Sequence, residues 1–346
     1  MLKGLVIWLS CIIVLFSILT DNSFSQELKP YQVRIMFYNV ENLFDIYDDP
    51  VINDNEFLPD GVVRWNYTRY NKKINSLYKT IIAVGEWKPP AVIGLCEVEN
   101  RKVLEDLLFK TNLTKYDYGI VHQNSPDQRG IDVCLLFRKD CVDLIDFKYW
   151  VPIDISGGDF NSRNVLYAKT LIKSDTIHFI VNHWPSRRGG VLAAEGLREK
   201  VAITVKQKID SLIAKNGKML KLILMGDFNC TPDDRVLRLL INSQDPDNLL
   251  VNLANISSAS GTGTYRYQGM WEMIDQILVT EGLLETKTGL YTDQEFFKVF
   301  DADFLLKQDP KYPGKSPFST YKGYRYQGGY SDHLPVILDL NFRFRD

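Results

Sequence analysis

Apolar residues recur along this chain with two spacings, and these predict alternating strands and helices. Continuous apolar runs bounded by turn residues predict buried strands, whereas apolar residues returning every three or four positions predict amphipathic helices. The predicted strands are 33–38, 91–98, 116–121, 131–138, 165–173, 177–182, 220–225, 274–279 and 335–340. The predicted helices are 68–84, 102–109 and 193–214. Helices separated by consecutive strands favour two packed sheets with helices outside over a doubly wound parallel sheet.

The N-terminal segment has the layout of a secretory signal. Lys3 precedes an apolar run over 5–19, and small residues precede a cleavage point after Ser25. We therefore expect a signal peptide over 1–25, a secreted or periplasmic protein, and a single catalytic domain over 26–346. The alternative is an uncleaved N-terminus that anchors the protein in a membrane, because the run is only slightly short for a spanning helix.

Composition is that of an ordinary globular protein. The chain has 346 residues, 45% hydrophobic and 24% charged, with a formal net charge of -2 at pH 7. Such a balance argues against coating nucleic acid by bulk charge but is compatible with a local basic cleft. Beyond the signal, Cys96, Cys134, Cys141 and Cys230 lack the spacing of a zinc site, and we interpret them as structural. Whether Cys134 and Cys141 form a disulfide stays open.

Polar residues with catalytic chemistry stand at the ends of the predicted strands. One such residue is usually a turn former, but repetition at six elements predicts a shared site. These residues are Asn39, Glu41, Glu97, His183, Asp227, Asn229, Asp275, Asp332 and His333. Asp227 and Asn229 are two positions apart, so an extended backbone would point both side chains to the same side.

The string Gly-Asp-Phe-Asn occurs twice, at 158–161 and at 226–229. The second copy follows the buried run 220–225. The first follows a stretch with a proline, an aspartate and paired glycines, which predicts a loop. We therefore predict that Asp227, and not Asp159, belongs to the site.

Six segments that carry these polar residues resemble the endonuclease/exonuclease/phosphatase superfamily, the deoxyribonuclease-I-like metal-dependent phosphoesterases. The matching segments are 38–42, 95–98, 181–183, 226–229, 274–278 and 331–336. They occur in the family's order and span nearly the whole mature chain. The resemblance implies an α/β (α+β) fold, a four-layer α/β/β/α sandwich of two mixed sheets flanked by helices, with the site at one edge of the sheets.

The resemblance also implies a divalent metal. Hard oxygen ligands favour Mg²⁺, with Mn²⁺ as an alternative, over zinc. Glu97 is the main candidate ligand, and Asn39 would fix the metal or the phosphate. Glu41 matches a position that is acidic in some members and is a further candidate ligand. Asp332 would be a ligand or a carboxylate behind the ligands.

The remaining positions carry proton transfer and phosphate binding by resemblance. Asp227 would orient or deprotonate the attacking water, and Asn229 would hold a phosphate oxygen. His333 would contact the phosphate or transfer a proton, with Asp275 orienting its imidazole. His183 would protonate the leaving oxygen. The two histidines outside the matching segments are expected to be ordinary surface or core residues.

Basic and aromatic residues near the predicted site bear on the substrate. Arg187 and Arg188 lie in a Gly-rich loop after a predicted strand, and with Arg129 they suit phosphate binding, although the loop could also be a solvated helix start. Segment 315–330 interleaves cationic residues with tyrosines such as Tyr326. That mixture could stack on bases, or could grip a sugar or a lipid headgroup.

We therefore expect an endonuclease acting on DNA or RNA, as a monomer with no obligate protein partner and no membrane span after signal cleavage. The alternative in the family is a phosphatase or phospholipase-type phosphodiesterase acting on inositol phosphates or sphingomyelin-like headgroups. Gln276 after Asp275 counts against the polyphosphate-phosphatase pattern, which has an Asp-Arg pair there. A catalytically inactive binding module is a third possibility, against which the retained polar positions count.

Overall fold

The computed structural model describes residues 32–86, 88–152, 162–187, 191–241, 250–285 and 287–344, with the backbone alone for 191–193. Residues from Gln32 onward form one compact unit. The signal peptide, the first Gly-Asp-Phe-Asn copy and Arg188 lie outside the described residues, and their assignments stay predictions. No helix of the described part is long and apolar enough to cross a membrane.

The first sheet joins the beginning of the described chain to its end. Its strands are β1 (Gln32–Leu43), β2 (Val92–Val98), β3 (Tyr118–His122), β4 (Asp132–Arg138), β13 (Gly289–Tyr291), β14 (Phe297–Val299) and β19 (Val336–Arg343). They lie in the order β13-β19-β1-β2-β4-β3, and β14 also pairs with β19. Strands β1 and β2 are parallel, while β1 and β19 are antiparallel, with Gln32 opposite Asn341.

The second sheet contains the strand of the second Gly-Asp-Phe-Asn copy. Its strands are β5 (Asp143–Trp150), β6 (Val165–Ile172), β7 (Asp175–His183), β8 (Leu222–Asp227), β9 (Leu250–Asn252) and β12 (Asp275–Thr280). They lie in the order β5-β6-β7-β8-β12-β9, and β7 and β8 are parallel. The close approach of the sheets shows at Gly94 of β2, where an added Cβ would lie 2.8 Å from Cε of Met225 on β8.

Six helices are described, and the first four of them pack on the sheets. They are α1 (Tyr67–Gly85), α2 (Arg101–Phe109), α3 (Val191–Asn216), α4 (Arg235–Ile241), α5 (Asn255–Ala259) and α6 (Glu281–Leu284). Short 3₁₀ turns cover Asn55–Phe57, Asn112–Tyr116, Gln294–Phe296 and Asp303–Leu305. Apolar residues of α1 and α2 share one buried cluster with β1 and β2, and those of α3 and α4 share another with β7 and β8. The predicted four-layer sandwich is therefore confirmed.

The structure adds elements that the apolar pattern did not predict. Strand β5 lies at a sheet edge with Ile145 and Phe147 exposed. Three short hairpins also appear, formed by β10 (Tyr265–Tyr267) and β11 (Met270–Glu272), β15 (Leu306–Gln308) and β16 (Lys315–Pro317), and β17 (Tyr321–Lys322) and β18 (Arg325–Tyr326). The four described cysteines are free thiols, so Cys134 and Cys141 are not bridged.

Candidate active site

Register in the second sheet brings three predicted residues to one point. His183 at the end of β7 is opposite Asp227 of β8, and Asp275 at the start of β12 is opposite Asp227 from the other side. Gly226 permits this approach, because a Cβ there would lie 2.5 Å from the carbonyl oxygen of Asn182. The apolar β8 strand thus delivers its last residue, Asp227, between the ends of its two neighbours.

The first sheet reaches the same point through irregular backbone. The pairing of β1 with β2 shifts in register after Asn39. Glu41, Asn42 and Glu97 have positive φ angles of 51°, 54° and 63°. Such angles are uncommon for residues other than glycine, and they aim side chains away from the strand's alternating directions. Distortion of β1 and β2 therefore turns their polar residues toward the second sheet.

Asp227 is the centre of the cluster. Its Oδ2 accepts a hydrogen bond from Nδ2 of Asn39 at 3.0 Å, and its Oδ1 accepts one from the backbone N–H of Asn229 at 2.9 Å. Burial and the nearby charge of Asp275 raise the pKa of Asp227 to about 7. The carboxylate can therefore gain or lose a proton near neutral pH.

His333 forms a carboxylate–imidazole pair with Asp275. Its Nδ1 lies 2.7 Å from Oδ2 of Asp275, and its Nε2 lies 4.0 Å from Oδ2 of Asp227. Burial disfavours the imidazolium, but the charge and hydrogen bond of Asp275, with the charges of Asp332 and Asp227, raise the pKa of His333 well above its ordinary value. Ser331 fixes the local backbone, since its Oγ accepts the N–H of His333 and donates to the carbonyl of Asn39. The surrounding carboxylates therefore favour the imidazolium form of His333, which faces Asp227.

His183 has the opposite electrostatic character. Its Nε2 lies 3.6 Å from Oδ2 of Asp227 and 3.9 Å from Oε1 of Glu97. Burial, together with the positive charges of Arg163, Arg129 and His333, lowers the pKa of His183 well below its ordinary value. The site therefore favours the neutral form of one imidazole and the charged form of the other, on either side of a single carboxylate.

Glu97 and Asp332 supply oxygen atoms suited to a divalent cation. Oε2 of Glu97 accepts the backbone N–H of Asn42 at 2.9 Å, whereas Oε1 faces the pocket side, near His183. Burial opposes ionisation, but Arg129, His333 and Arg163 together lower the pKa of Glu97. Burial and the charge of Glu97 raise the pKa of Asp332, against the opposing charges of His333 and Lys73. A divalent cation would relieve this repulsion between two hard-oxygen donors, so the donor set fits Mg²⁺.

Glu41 has a different position from the one expected of a metal ligand. Its two carboxylate oxygens accept the backbone N–H groups of Thr320 at 2.6 Å and Tyr321 at 2.9 Å. Nζ of Lys73 donates to Oγ1 of Thr320 at 2.5 Å and to the carbonyl of Tyr330 at 2.6 Å. We call these contacts the Glu41–Lys73 tether. It ties the segment that leads into Asp332 and His333 to β1 and α1.

Asn229 does not continue the extended strand. Its φ is 51°, and its Nδ2 donates to the carbonyl of Trp184 at 2.9 Å. The expectation that Asp227 and Asn229 point to one side through extended geometry is wrong, because the backbone turns into the left-handed region at Asn229. Both residues nevertheless line the same pocket.

The pocket brings together most of the predicted residues. It has a volume of about 480 Å³ and is lined by Glu97, His183, Asp227, Asn229, Asp332 and His333 together with Arg129, Arg187 and Tyr265. Arg129 donates from Nη2 to Oδ1 of Asn42 at 2.8 Å, which places its charge beside Glu97. Arg187 lies at the rim, with Nη1 3.2 Å from Oε1 of Glu272. Tyr326 lines a separate depression, with the Arg69 guanidinium 4.4 Å from its ring centroid, and is not brought to the cluster.

A groove of about 570 Å³ adjoins the pocket. It shares Arg129, Tyr265 and Asp332 with the pocket and continues past Lys307, Lys322, Tyr321 and Phe57. The groove therefore combines cationic and aromatic side chains with the carboxylates of Glu41, Glu56, Asp309 and Asp332.

Several residues of the site carry no motif. Lys73 could have been noticed, because it lies at helical spacing between Tyr70 and Leu77 of the buried face of α1. Arg163 is buried, and its Nε lies 3.4 Å from Oδ2 of Asp127. Tyr265 lies with its ring centroid 5.0 Å from that of His333. For Arg163 and Tyr265 the pattern of the sequence gives no signal.

The two histidines outside the matching segments, His122 and His178, make structural contacts. His178 is buried and hydrogen-bonded at Nδ1 to the hydroxyl of Tyr167 at 2.9 Å. Nε2 of His122 lies 3.3 Å from Oδ2 of Asp132.

Solved structures share this architecture. Danio rerio TDP2 complexed with single-strand DNA product superposes with a TM-score of 0.55 at 14% identity, over 90% of this chain and 99% of that one. The human Nocturnin catalytic domain with bound sulfate has a TM-score of 0.54 at 17% identity, over 90% and 94%. An endonuclease/exonuclease/phosphatase family protein from Bacteroides thetaiotaomicron has a TM-score of 0.54 at 16% identity, over 91% and 96%. These similarities show the fold alone.

Sequence comparison gives the family. No curated protein sequence matches the chain significantly. The model of the Endonuclease/Exonuclease/phosphatase family, however, matches residues 34–342, which is nearly all of the part that the structure describes. The chain therefore belongs to the endonuclease/exonuclease/phosphatase family, whose members are hydrolases that act on phosphoesters.

Proposed function

We propose that this protein is an exported, Mg²⁺-dependent phosphodiesterase that cleaves nucleic acid internally. The observation that carries the chemistry is the position of Asp227 between His183 and His333, within 3.6 and 4.0 Å, in the pocket that Glu97 and Asp332 also line. These separations are too long for direct hydrogen bonds and leave room for a water or a phosphate oxygen.

In the proposed reaction Asp227 accepts the proton of the attacking water. A pKa of about 7 suits a general base at neutral pH. His333, held as a cation by Asp275, would stabilise charge on the phosphoryl group and supply a proton to the leaving oxygen. The neutral imidazole of His183 would donate one N–H to a phosphoryl oxygen. In this proposal His333 donates the proton to the leaving oxygen, whereas the family resemblance implied that His183 would do so.

Glu97 and Asp332 would hold the cation, with Mg²⁺ preferred and Mn²⁺ as the alternative. When bound, such an ion neutralises charge on the phosphoryl oxygens. Asn39 would act by fixing Asp227 through its amide. Glu41 would act on the site through the Glu41–Lys73 tether, which positions the segment carrying Asp332.

The groove beside the pocket supports a nucleic-acid substrate. Lys307 and Lys322 can neutralise phosphates, and Tyr321 and Phe57 offer rings near the same path. A compact headgroup would occupy the pocket alone and would leave this groove without a role. The TDP2 structure holds a single-strand DNA product, which is a precedent on the same fold. Export is proposed on the N-terminal pattern of Lys3 and the apolar run that follows.

The test is incubation of purified Gln26–Asp346 with supercoiled plasmid, single-stranded RNA and a panel of phosphomonoesters and headgroup phosphodiesters. We expect nicking or internal RNA cleavage with Mg²⁺ and none with EDTA. Phosphate release or headgroup cleavage without nicking would contradict the nuclease assignment.

Two variants test the site itself. His333→Ala and Glu97→Ala should each abolish turnover while the circular dichroism spectrum is unchanged. His178→Asn is the matched control, because that histidine is buried on β7 but lies outside the pocket lining. Near-normal turnover in either site variant would remove that residue from the site.

A further inference from the structure

A second set of metal-ligand atoms, distinct from the Glu97 and Asp332 oxygens, includes two residues of the pocket lining and one buried residue outside it. Sγ of Cys96, a ring nitrogen of His183 and a carboxylate oxygen of Asp227 all lie within 4.8 Å of one another, and all three residues are buried. The ligands come from β2, β7 and β8, so their proximity depends on the packing of the two sheets. Their wide separation in sequence explains why cysteine spacing did not reveal them.

The separation between the His183 and Asp227 ligand atoms is close to that in a tetrahedral site. Two ligands about 2.1 Å from a zinc ion lie about 3.4 Å apart at the tetrahedral angle. Nε2 of His183 and Oδ2 of Asp227 are already 3.6 Å apart. Sulfur lies within 4.8 Å of the other two ligand atoms, so a shift of at most about 1.2 Å would bring it to the separation of about 3.6 Å that a tetrahedral zinc ion requires.

The chemistry of this set differs from that of the Glu97 side. Thiolate and imidazole ligands favour zinc, cobalt and cadmium, whereas Mg²⁺ prefers oxygen ligands. Nδ1 of His183 is buried and has no hydrogen-bond partner among the described residues, so one ring nitrogen of this imidazole is left for a further ligand.

We propose that Cys96, His183 and Asp227 form an inhibitory binding site for zinc or a similar thiophilic divalent cation. His183 and Asp227 line the pocket, which leaves a fourth coordination position for water, while Cys96 is fully buried and lies outside the lining. On binding, the thiol proton passes to the solvent, and the thiolate and carboxylate charges together balance the cation. Asp227 and His183 are then withdrawn from hydrolysis.

Metal binding is tested first without using activity. Cadmium added to the mature chain in excess Mg²⁺ should produce an ultraviolet thiolate-to-cadmium charge-transfer band that saturates at one ion per chain. The band should disappear in Cys96→Ala and persist in Cys134→Ala, the matched control, whose thiol is buried on the neighbouring β4 strand outside the ligand set. An absent band in the wild type, or a band that persists in Cys96→Ala, overturns the site.

A second measurement avoids substitution altogether, in case Cys96→Ala fails to fold. X-ray absorption at the zinc edge of the wild-type protein with one equivalent of zinc should show a single sulfur ligand. A shell of nitrogen and oxygen alone overturns the assignment.

The inhibitory effect rests on the proposed function and is measured separately. Zinc should inhibit plasmid nicking in excess Mg²⁺, and Cys96→Ala should raise the half-inhibitory zinc concentration at least tenfold, each variant being compared with its own zinc-free rate. Equal inhibition in Cys96→Ala and the wild type would overturn the inhibitory role. Loss of all phosphodiesterase activity with an intact cadmium band would instead contradict only the proposed function.

Discussion

Asp227 and Glu41 are two buried carboxylates with the same perturbation and different surroundings. Burial, with a neighbouring negative charge, raises the pKa of each to about 7. Each oxygen of both carboxylates accepts one protein hydrogen bond. Asp227 differs because it also faces two histidines, at 3.6 and 4.0 Å, across the pocket. A shifted pKa therefore does not identify a catalytic carboxylate. In the mechanism that we propose, the open space between Asp227 and the two histidines distinguishes it from Glu41.

Asp227→Asn should have the largest effect on activity. The amide keeps the shape of the side chain but cannot accept the proton of water, so we expect turnover to fall about 10³-fold or more. The free energy of unfolding of the Asp227→Asn variant should be equal to or above that of the wild type, because a buried charge is removed. Plasmid nicking rates and urea unfolding check both parts. Glu41→Gln is the matched variant and should keep activity within about tenfold; an equal loss in both would break the contrast.

Lys73→Met should mainly affect stability. It leaves Glu41 buried without the nearby cation and removes two hydrogen bonds to the segment before Asp332. We expect the free energy of unfolding to fall by about 3 kcal/mol. Adding Glu41→Gln to Lys73→Met should recover part of this loss in a double-mutant cycle. Additive losses would show that the two side chains do not interact.

His178 provides a pH-dependent contrast outside the pocket. Burial, with a smaller effect of Lys169, lowers its pKa from 6.5 to about 4 in the folded protein. Because the folded-state pKa is depressed, the contribution of His178 to stability is present above pH 6.5 and is lost as pH falls toward 4. We expect about 1–2 kcal/mol over this window, allowing for solvent screening. Urea midpoints of the wild type and His178→Asn should converge as pH falls; a constant difference would contradict the shift.

Arg187→Ala should have the smallest effect. Its guanidinium is exposed and paired with Glu272 at the rim, unlike Arg129, whose charge acts on Glu97. We expect KM for nucleic acid to rise about threefold and the salt slope of binding to fall by about 1. Glu272→Gln is the control and should lower KM or leave it unchanged. An unchanged salt slope in Arg187→Ala would show that this arginine is a solvated rim residue that does not contact the substrate.

Much of the fold and site could be predicted because the signal lies at strand ends. A buried apolar strand such as β8 must end at the sheet's edge. The polar residue at that end then faces the site. The pattern therefore indicated Glu97, His183, Asp227 and Asp275 without knowledge of their partners. Register between strands, which decides that Asp227 meets both His183 and Asp275, depends on tertiary packing and is not written in any one segment.

The features that were missed lack a local pattern. Buried and exposed residues alternate only weakly along β5, and two of its apolar side chains are exposed. The sequence of this edge strand therefore resembles that of a loop. The turn at Asn229 depends on bonds from its amide to Trp184 and from its N–H to Asp227. Lys73 lies at a helical spacing that is consistent with burial, but a lysine on a helix is normally solvated, and its partners lie in a segment far along the chain.

The pairing of β1 with β19 has a consequence for when the protein becomes active. Arg34 bonds to Asp339 across a sequence separation of 305 residues, and the Glu41–Lys73 tether needs Thr320 and Tyr330. A chain still emerging from the ribosome has neither His333 nor the strand that closes the sheet behind it. The pocket therefore cannot assemble on a partial chain, so the cleavage that we propose for it begins only once the last strand is present.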